Sequence, residues 1–260
     1  MGLTANWQAG CAPKPEDEPG VGFRPGVWPI HPDEDERVRA LHDFCLLDTD
    51  FESSFDRIAT LAAHRFGTSI SLVSLVDSKR QWFKASYGLD ARETCRDAAF
   101  CTHAIMPNGP PIFEVTDATL DPRFGNNPLV TGLPSIRYYA GRPLICNKQP
   151  IGTLCIIDRS PRPPMSAADS EEFILYADMV VDLVEQRLLT KQYEVVQEQL
   201  IKKTDQMEGF NSGAKVYIYV YVCMCVYMST YMYIYIYIYI YIIPSNVLTG
   251  ERRARWHQGE

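Results

Sequence analysis

Thiols, imidazoles and paired charges are the side chains here with the reactivity for chemistry. The cysteines are Cys11, Cys45, Cys95, Cys101, Cys146, Cys155, Cys223 and Cys225. The N-terminus has neither the basic start nor the apolar core of a secretory signal, so reduced thiols are the expectation. Cys223 and Cys225 stand two apart, outside any C-x-x-C arrangement, so no metal site is indicated. Cys155 lies in an apolar strand run, where a cysteine usually serves as a small core hydrophobe. His42, His64 and His103 are widely separated, and no G-x-G-x-x-G, P-loop, G-x-S-x-G or H-E-x-x-H motif accompanies them. The net charge of −7 argues against a nucleic-acid partner. Residue chemistry alone points to a binding domain rather than an enzyme.

The elements that must position these groups come from the middle of the chain. Residues 34–45 read as an amphipathic helix with Val38, Leu41 and Cys45 on its apolar face. Thr49 to Glu52 has the form of a capping box opening a second helix. Phe51, Phe55, Ile58, Ala62 and Phe66 mark its inner face, and Gly67 ends it. Residues 69–77 and 80–87 read as a hairpin turning at Ser78-Lys79-Arg80, with a strand near 151–157 beside it. Further strands are expected over 112–115 and 136–145, with turn residues at Asn147-Lys148 and at Pro150-Ile151-Gly152 before the last one. Ser166 caps a long helix whose first half carries Phe173, Ala177, Val180, Val184 and Leu188. Its second half shifts to Leu189, Tyr193, Val196 and Leu200, close to coiled-coil spacing. The class is α+β: an antiparallel sheet between helices.

The ends differ in kind. Residues 1–33 hold six of the 18 prolines and read as a disordered, acidic arm. Residues 216–260 hold ten of the 15 tyrosines, and from Val216 to Tyr241 Tyr or Cys alternates with Val, Ile or Met except at Ser229 and Thr230. Such an alternation is what a translated TATATA/TGTG repeat would encode. The same uncharged run is long enough for a membrane-spanning helix, but tyrosine at every second position suits a strand better. The expected division is therefore an arm over 1–33, a sensor domain over 34–188, and a signalling helix over 189–210. A low-complexity repeat over 216–243 and a disordered tail over 244–260 complete it. A cytoplasmic location is expected, with a membrane location as the alternative if 216–243 spans a bilayer.

Over 46–162 the chain resembles a GAF domain of the kind fused to histidine kinases and diguanylate cyclases. The resemblance rests on Leu47-Asp48-Thr49, Ser74-Leu75-Val76-Asp77, Arg80-Gln81-Trp82-Phe83-Lys84 and Ala99-Phe100-Cys101-Thr102-His103-Ala104-Ile105. It continues in Asp121-Pro122-Arg123-Phe124, Asn127-Pro128-Leu129-Val130, Tyr139-Ala140-Gly141 and Ile151-Gly152-Thr153-Leu154-Cys155. It implies a central antiparallel sheet with helices on one face and a ligand pocket on the other. It also implies a regulatory module that binds a small molecule, often dimerises through its C-terminal helix, and drives a kinase or cyclase output domain. The pocket candidates are Trp82, Phe83, Phe100, Cys101, His103, Asp117, Arg123, Tyr138 and Tyr139. Of Trp82 and Phe83, one should face the pocket and one the core, and likewise for Tyr138 and Tyr139. Asp117 and Arg123 are expected to form a salt-bridged corner.

Within that resemblance, no ligand is named. Asp158-Arg159 stands where cyclic-nucleotide binders carry an Asn-Lys pair, and Thr102 separates Cys101 from His103 where bilin binders have adjacent Cys-His. Both cofactors are disfavoured. Two alternatives remain beside the sensor reading: a dimerisation domain with a vestigial pocket, and a thiol-dependent free-methionine-sulfoxide reductase using Cys95 and Cys101.

Overall fold

The apolar repeat at Phe55, Ile58 and Ala62 folds as α2 (Ser53–Phe66), stopped by Gly67 at φ 60°, a left-handed conformation that glycine adopts without strain. In the computed structural model, which describes residues 28–206, α2 follows the shorter α1 (Glu34–Asp43). The three acids of the first turn of α1 favour its N-terminus. This helix ends two residues before the sequence predicts: Phe44 is buried beside Leu41, while Cys45 turns to φ 49° and is exposed. The predicted capping box does not form either. The Thr49 hydroxyl donates to the Leu46 carbonyl at 2.7 Å, and the Glu52 carboxylate is held by Lys84 and Arg187.

Six strands make one antiparallel sheet: β1 (Ile70–Val76), β2 (Arg80–Tyr87), β3 (Glu93–Cys95), β4 (Phe113–Val115), β5 (Tyr138–Cys146) and β6 (Gln149–Asp158). Their order is β3-β2-β1-β6-β5-β4, so β1 and β6 are central, as the hairpin and its neighbour at 151–157 predict. The β5–β6 turn is at Asn147-Lys148 rather than at 150–152. Both residues have positive φ, the geometry of a tight two-residue hairpin, and Pro150 pairs with Ile145 inside the ladder.

Alternation along the strands sends two sets of side chains to two faces. One face carries Val73, Leu75, Trp82, Tyr138, Leu154 and Ile156 against α1, α2 and the long α5 (Ala167–Gln206). Phe173, Ala177, Val180 and Val184 form the buried stripe of α5, with Leu188 half-buried behind them. Ser166 caps that helix, its Oγ accepting the Asp169 amide at 3.1 Å. Lys84 is fully buried on this face, and its Nζ donates to Thr49 Oγ1 at 2.8 Å, the Asp50 carbonyl at 2.9 Å and Glu52 Oε1 at 2.6 Å. Arg187 Nε reaches the same Glu52 oxygen at 2.8 Å, so one carboxylate ties β2 to α5.

The opposite face carries Ile70, Leu72, Phe83, Tyr139, Cys155 and Ile157 beneath two short helices, α3 (Phe100–Ala104) and α4 (Pro128–Thr131). The backbone divides into two units after Thr190. Along the helix, Leu189, Tyr193, Val196 and Leu200 are each at least 38% exposed. Among the described residues, no helix is long and apolar enough to cross a membrane. The expected repeat over 216–243, the tail over 244–260 and most of the arm over 1–33 lie outside the described residues.

Candidate functional site

Under α3 and α4, a cavity with about 30 Å³ of free interior volume opens against the sheet. Phe83 and Tyr139 rise into it from β2 and β5, Phe100 and Cys101 enter from α3, and Leu129, Pro134 and Ile136 close it from above. Phe100 stacks on Phe124 at 3.9 Å between ring centroids and on Tyr139 at 5.2 Å, which fixes the wall. The Tyr139 ring folds back across Gly141, where a Cβ would stand 2.2 Å from the phenol oxygen. Glycine there is what lets the hydroxyl aim at Cys101.

Two polar atoms of the cavity make no hydrogen bond. Gln81 Oε1 and Thr94 Oγ1 are buried, line the space and lack partners. An orphaned buried polar atom costs roughly 1–3 kcal/mol, so the Gln81 acceptor and the Thr94 hydroxyl, which can donate or accept, mark a place where a polar partner belongs. Neither residue was legible as functional from the sequence. Gln81 shares a strand face with Phe83 and follows once the phase of β2 is known. Thr94 lies on a three-residue strand with no periodic signal.

Cys101 anchors a second cluster. Its sulfur accepts from Thr153 Oγ1 at 3.1 Å and from the Tyr139 hydroxyl at 3.2 Å, and lies 3.9 Å from Cys155 Sγ. Burial pushes the Cys101 thiol up, but the Cys155 thiol, the Thr153 hydroxyl and the Tyr139 hydroxyl outweigh it and hold it below the ordinary thiol range. Burial and neighbouring charge push Cys146, which has no such donors, up to about 12.

Of the nine residues the sequence singles out, Phe83, Phe100, Cys101 and Tyr139 meet at the cavity. Trp82 and Tyr138 pack on the opposite face, because strand alternation sends them to the helices. There Tyr138 donates to Glu114 Oε1 at 2.8 Å. His103 lies beside the cavity-side aromatics, 4.8 Å from the Phe124 ring, and burial followed by the Arg123 charge lowers it to about 4. The expected Asp117–Arg123 corner is not formed. Arg137 grips Asp117 with two bonds of 2.8 and 2.6 Å and holds its carboxyl below the usual range. Arg123 binds Asp121 at 2.6 Å instead, because its own loop curls back within two residues. The reduced-thiol expectation fails at Cys95, which is disulfide-bonded. The thiol that Cys101 meets is Cys155, at 3.9 Å between sulfurs, and both are free.

A GAF domain family model matches residues 50–188. Over 154 residues the chain is 44% identical to a cyclic di-GMP phosphodiesterase of Pseudomonas aeruginosa, covering 59% of this chain. The chain spans only 26% of the length of that relative. Among solved structures, the blue-light absorbing form of the Thermosynechococcus elongatus PixJ GAF domain superposes with a TM-score of 0.45 at 14% identity, over 62% of this chain and 96% of that one. A type II free methionine-R-sulfoxide reductase from Thermoplasma acidophilum gives 0.43 at 18% identity, over 52% and 92%. At these identities the likeness is one of fold alone.

Proposed function

Because the chain belongs to the GAF domain family, we propose that residues 34–188 are a cytoplasmic sensory domain that binds a small molecule between the sheet and the α3–α4 face. The observation that carries this reading is the pair of partnerless polar atoms, the Gln81 Oε1 acceptor and the Thr94 hydroxyl, in a cavity otherwise lined by aromatic and aliphatic side chains and Cys101. They call for a compact, mostly apolar ligand with one or two hydrogen-bond donors. The free volume of about 30 Å³ admits a molecule of about the size of water. Anything larger must lift the Leu129–Ile136 segment, and that displacement is a means of turning occupancy into a signal.

The signal leaves through α5. Leu189, Tyr193 and Val196 present an apolar stripe that a parallel homodimer would cover. The output is a domain of signalling enzymes, a kinase or cyclase as expected from the sequence or, by the name of the relative, a cyclic di-GMP phosphodiesterase. Native mass spectrometry of the purified chain tests the ligand: a retained mass that disappears in Gln81→Leu with Thr94→Val supports the proposal. No retained mass from any of several expression hosts would sink it. The small free volume favours a second reading, a dimerisation domain with a closed pocket. It is selected by a stable dimer without retained mass, split in sedimentation by Tyr193→Glu with Val196→Glu.

A further inference from the structure

We infer that Cys101 and Cys155 form a peroxide-reactive dithiol site, in which a hydroperoxide entering the cavity oxidises the two thiols to a disulfide. The site lies on different elements from any pairing suggested by spacing: Cys101 on α3 and Cys155 on β6 are brought together across the sheet face. Both are free thiols, and their sulfurs stand 3.9 Å apart, about 2 Å from bonding distance. Since α3 is a five-residue helix on the thinly roofed face, its displacement is the movement that closes this gap.

The surroundings divide the labour between the two thiols. Cys101 lines the cavity and collects hydrogen bonds from Tyr139 and Thr153, which stabilise its sulfur as an anion. Cys155 lies outside the cavity lining, fully buried, and its interaction with Cys101 together with burial keeps it protonated. Cys101 is therefore the attacking sulfur and Cys155 the resolving one. Hydrogen peroxide is close to water in size, and the cavity holds a molecule of about that size.

The chemistry closes in two steps. The Cys101 thiolate attacks one peroxide oxygen, the O–O bond breaks, and Cys101 becomes a sulfenic acid as hydroxide departs. The Cys155 sulfur then attacks the Cys101 sulfur, displacing the sulfenic hydroxyl, which leaves as water with the Cys155 proton. The hydroxide takes up the proton that Cys101 gave away. Two thiols and one peroxide give one disulfide and two waters. The product bond fastens α3 to the centre of the sheet and removes from the cavity wall the thiolate that Tyr139 and Thr153 solvate. This site shares the cavity with the proposed ligand but does not rest on that proposal, since it needs neither Gln81 nor Thr94.

The test is a non-reducing peptide map of the full chain after hydrogen peroxide treatment, with free thiols alkylated under denaturing conditions. A Cys101–Cys155 linked peptide, two hydrogens lighter than its reduced parts, is the expected result. Cys155→Ser should instead trap Cys101 as a sulfenic acid that dimedone captures. Cys101→Ser, checked for a native circular-dichroism spectrum, should leave Cys155 unoxidised. The exposed Cys45 serves as the internal control for peroxide reactivity. Recovery of both Cys101 and Cys155 as alkylated thiols while Cys45 is oxidised overturns the proposal. So does a wild-type chain in which Cys101 accumulates as a dimedone adduct with no linked peptide. The wild-type map decides the question even if a variant fails to fold.

Discussion

The two faces of the sheet solve the same packing problem in opposite ways. On the helix face, the hardest group to bury is Lys84, and all three of its donors are satisfied by Thr49, Asp50 and Glu52. On the cavity face, the modest polar atoms of Gln81 and Thr94 are left bare, although a valine or leucine could have filled their places. One face spends its side chains on holding three helices. The other gathers two partnerless polar atoms in one cavity, beside an ionisable thiol pair and under a roof of two short helices. The orphan Ser71 hydroxyl on the helix side lines no such space. A sheet flanked in this way is stable enough on one side to remain incomplete on the other.

The largest effect expected from this contrast is on the helix face. Phe173→Ala should cost about 3–5 kcal/mol of unfolding free energy by urea titration, because the α5 stripe is sealed and cannot collapse around the gap. A loss near 1 kcal/mol would mean that this face is as loose as the other. Next is Lys84→Ala, at about 3 kcal/mol, since it strands the Thr49 and Asp50 acceptors; Glu52 keeps Arg187 and limits the damage.

The cavity face should declare itself through pH. His103 is held neutral, with its folded value lowered from 6.5 to about 4. The unfolded chain therefore takes up the proton first. Its contribution to stability is complete above about pH 6.5, declines as pH falls, and is gone below about 4. His103→Phe should flatten the stability profile between pH 6.5 and 4.5, above the range where most carboxylates titrate. An unchanged slope would place the histidine outside the buried cluster. The smallest effect has the opposite sign. Thr94→Val removes an unpaired hydroxyl at constant shape and should raise stability by up to ~1 kcal/mol while weakening ligand retention. Destabilisation would reveal a partner for that hydroxyl.

Most of the helix face was legible in the sequence. Phe55, Ile58 and Ala62 repeat with the period of a helix, Gly67 ends it, and Ser166 opens α5. The hairpin at 78–80 and the central place of 151–157 followed from apolar runs and turn residues. The cavity face was not, for physical reasons. β3 has three residues and α3 has five, too few to show any period. Alternation says that Trp82 and Phe83 oppose each other but not which one meets the helices. That is decided by α2 and α5, far away in sequence. The thiol pair spans 54 positions, so no spacing rule could reveal it. The capping box failed because Lys84, buried on a distant strand, claims the Glu52 carboxylate more strongly than a backbone amide can.

The pairing of β1 with β6 sets a rule for how the protein is made. Ile70 lies opposite Ile157, so the middle of the sheet joins the beginning of the domain to its end. While the ribosome is still reading the codons between them, the β1–β2 hairpin has no inner neighbour and leaves the open edge of β1 exposed. Closing so long a loop makes the step slow. Nascent chains released before residue 158 should therefore be handed to chaperones or degraded rather than accumulate. The domain is an all-or-nothing product of translation.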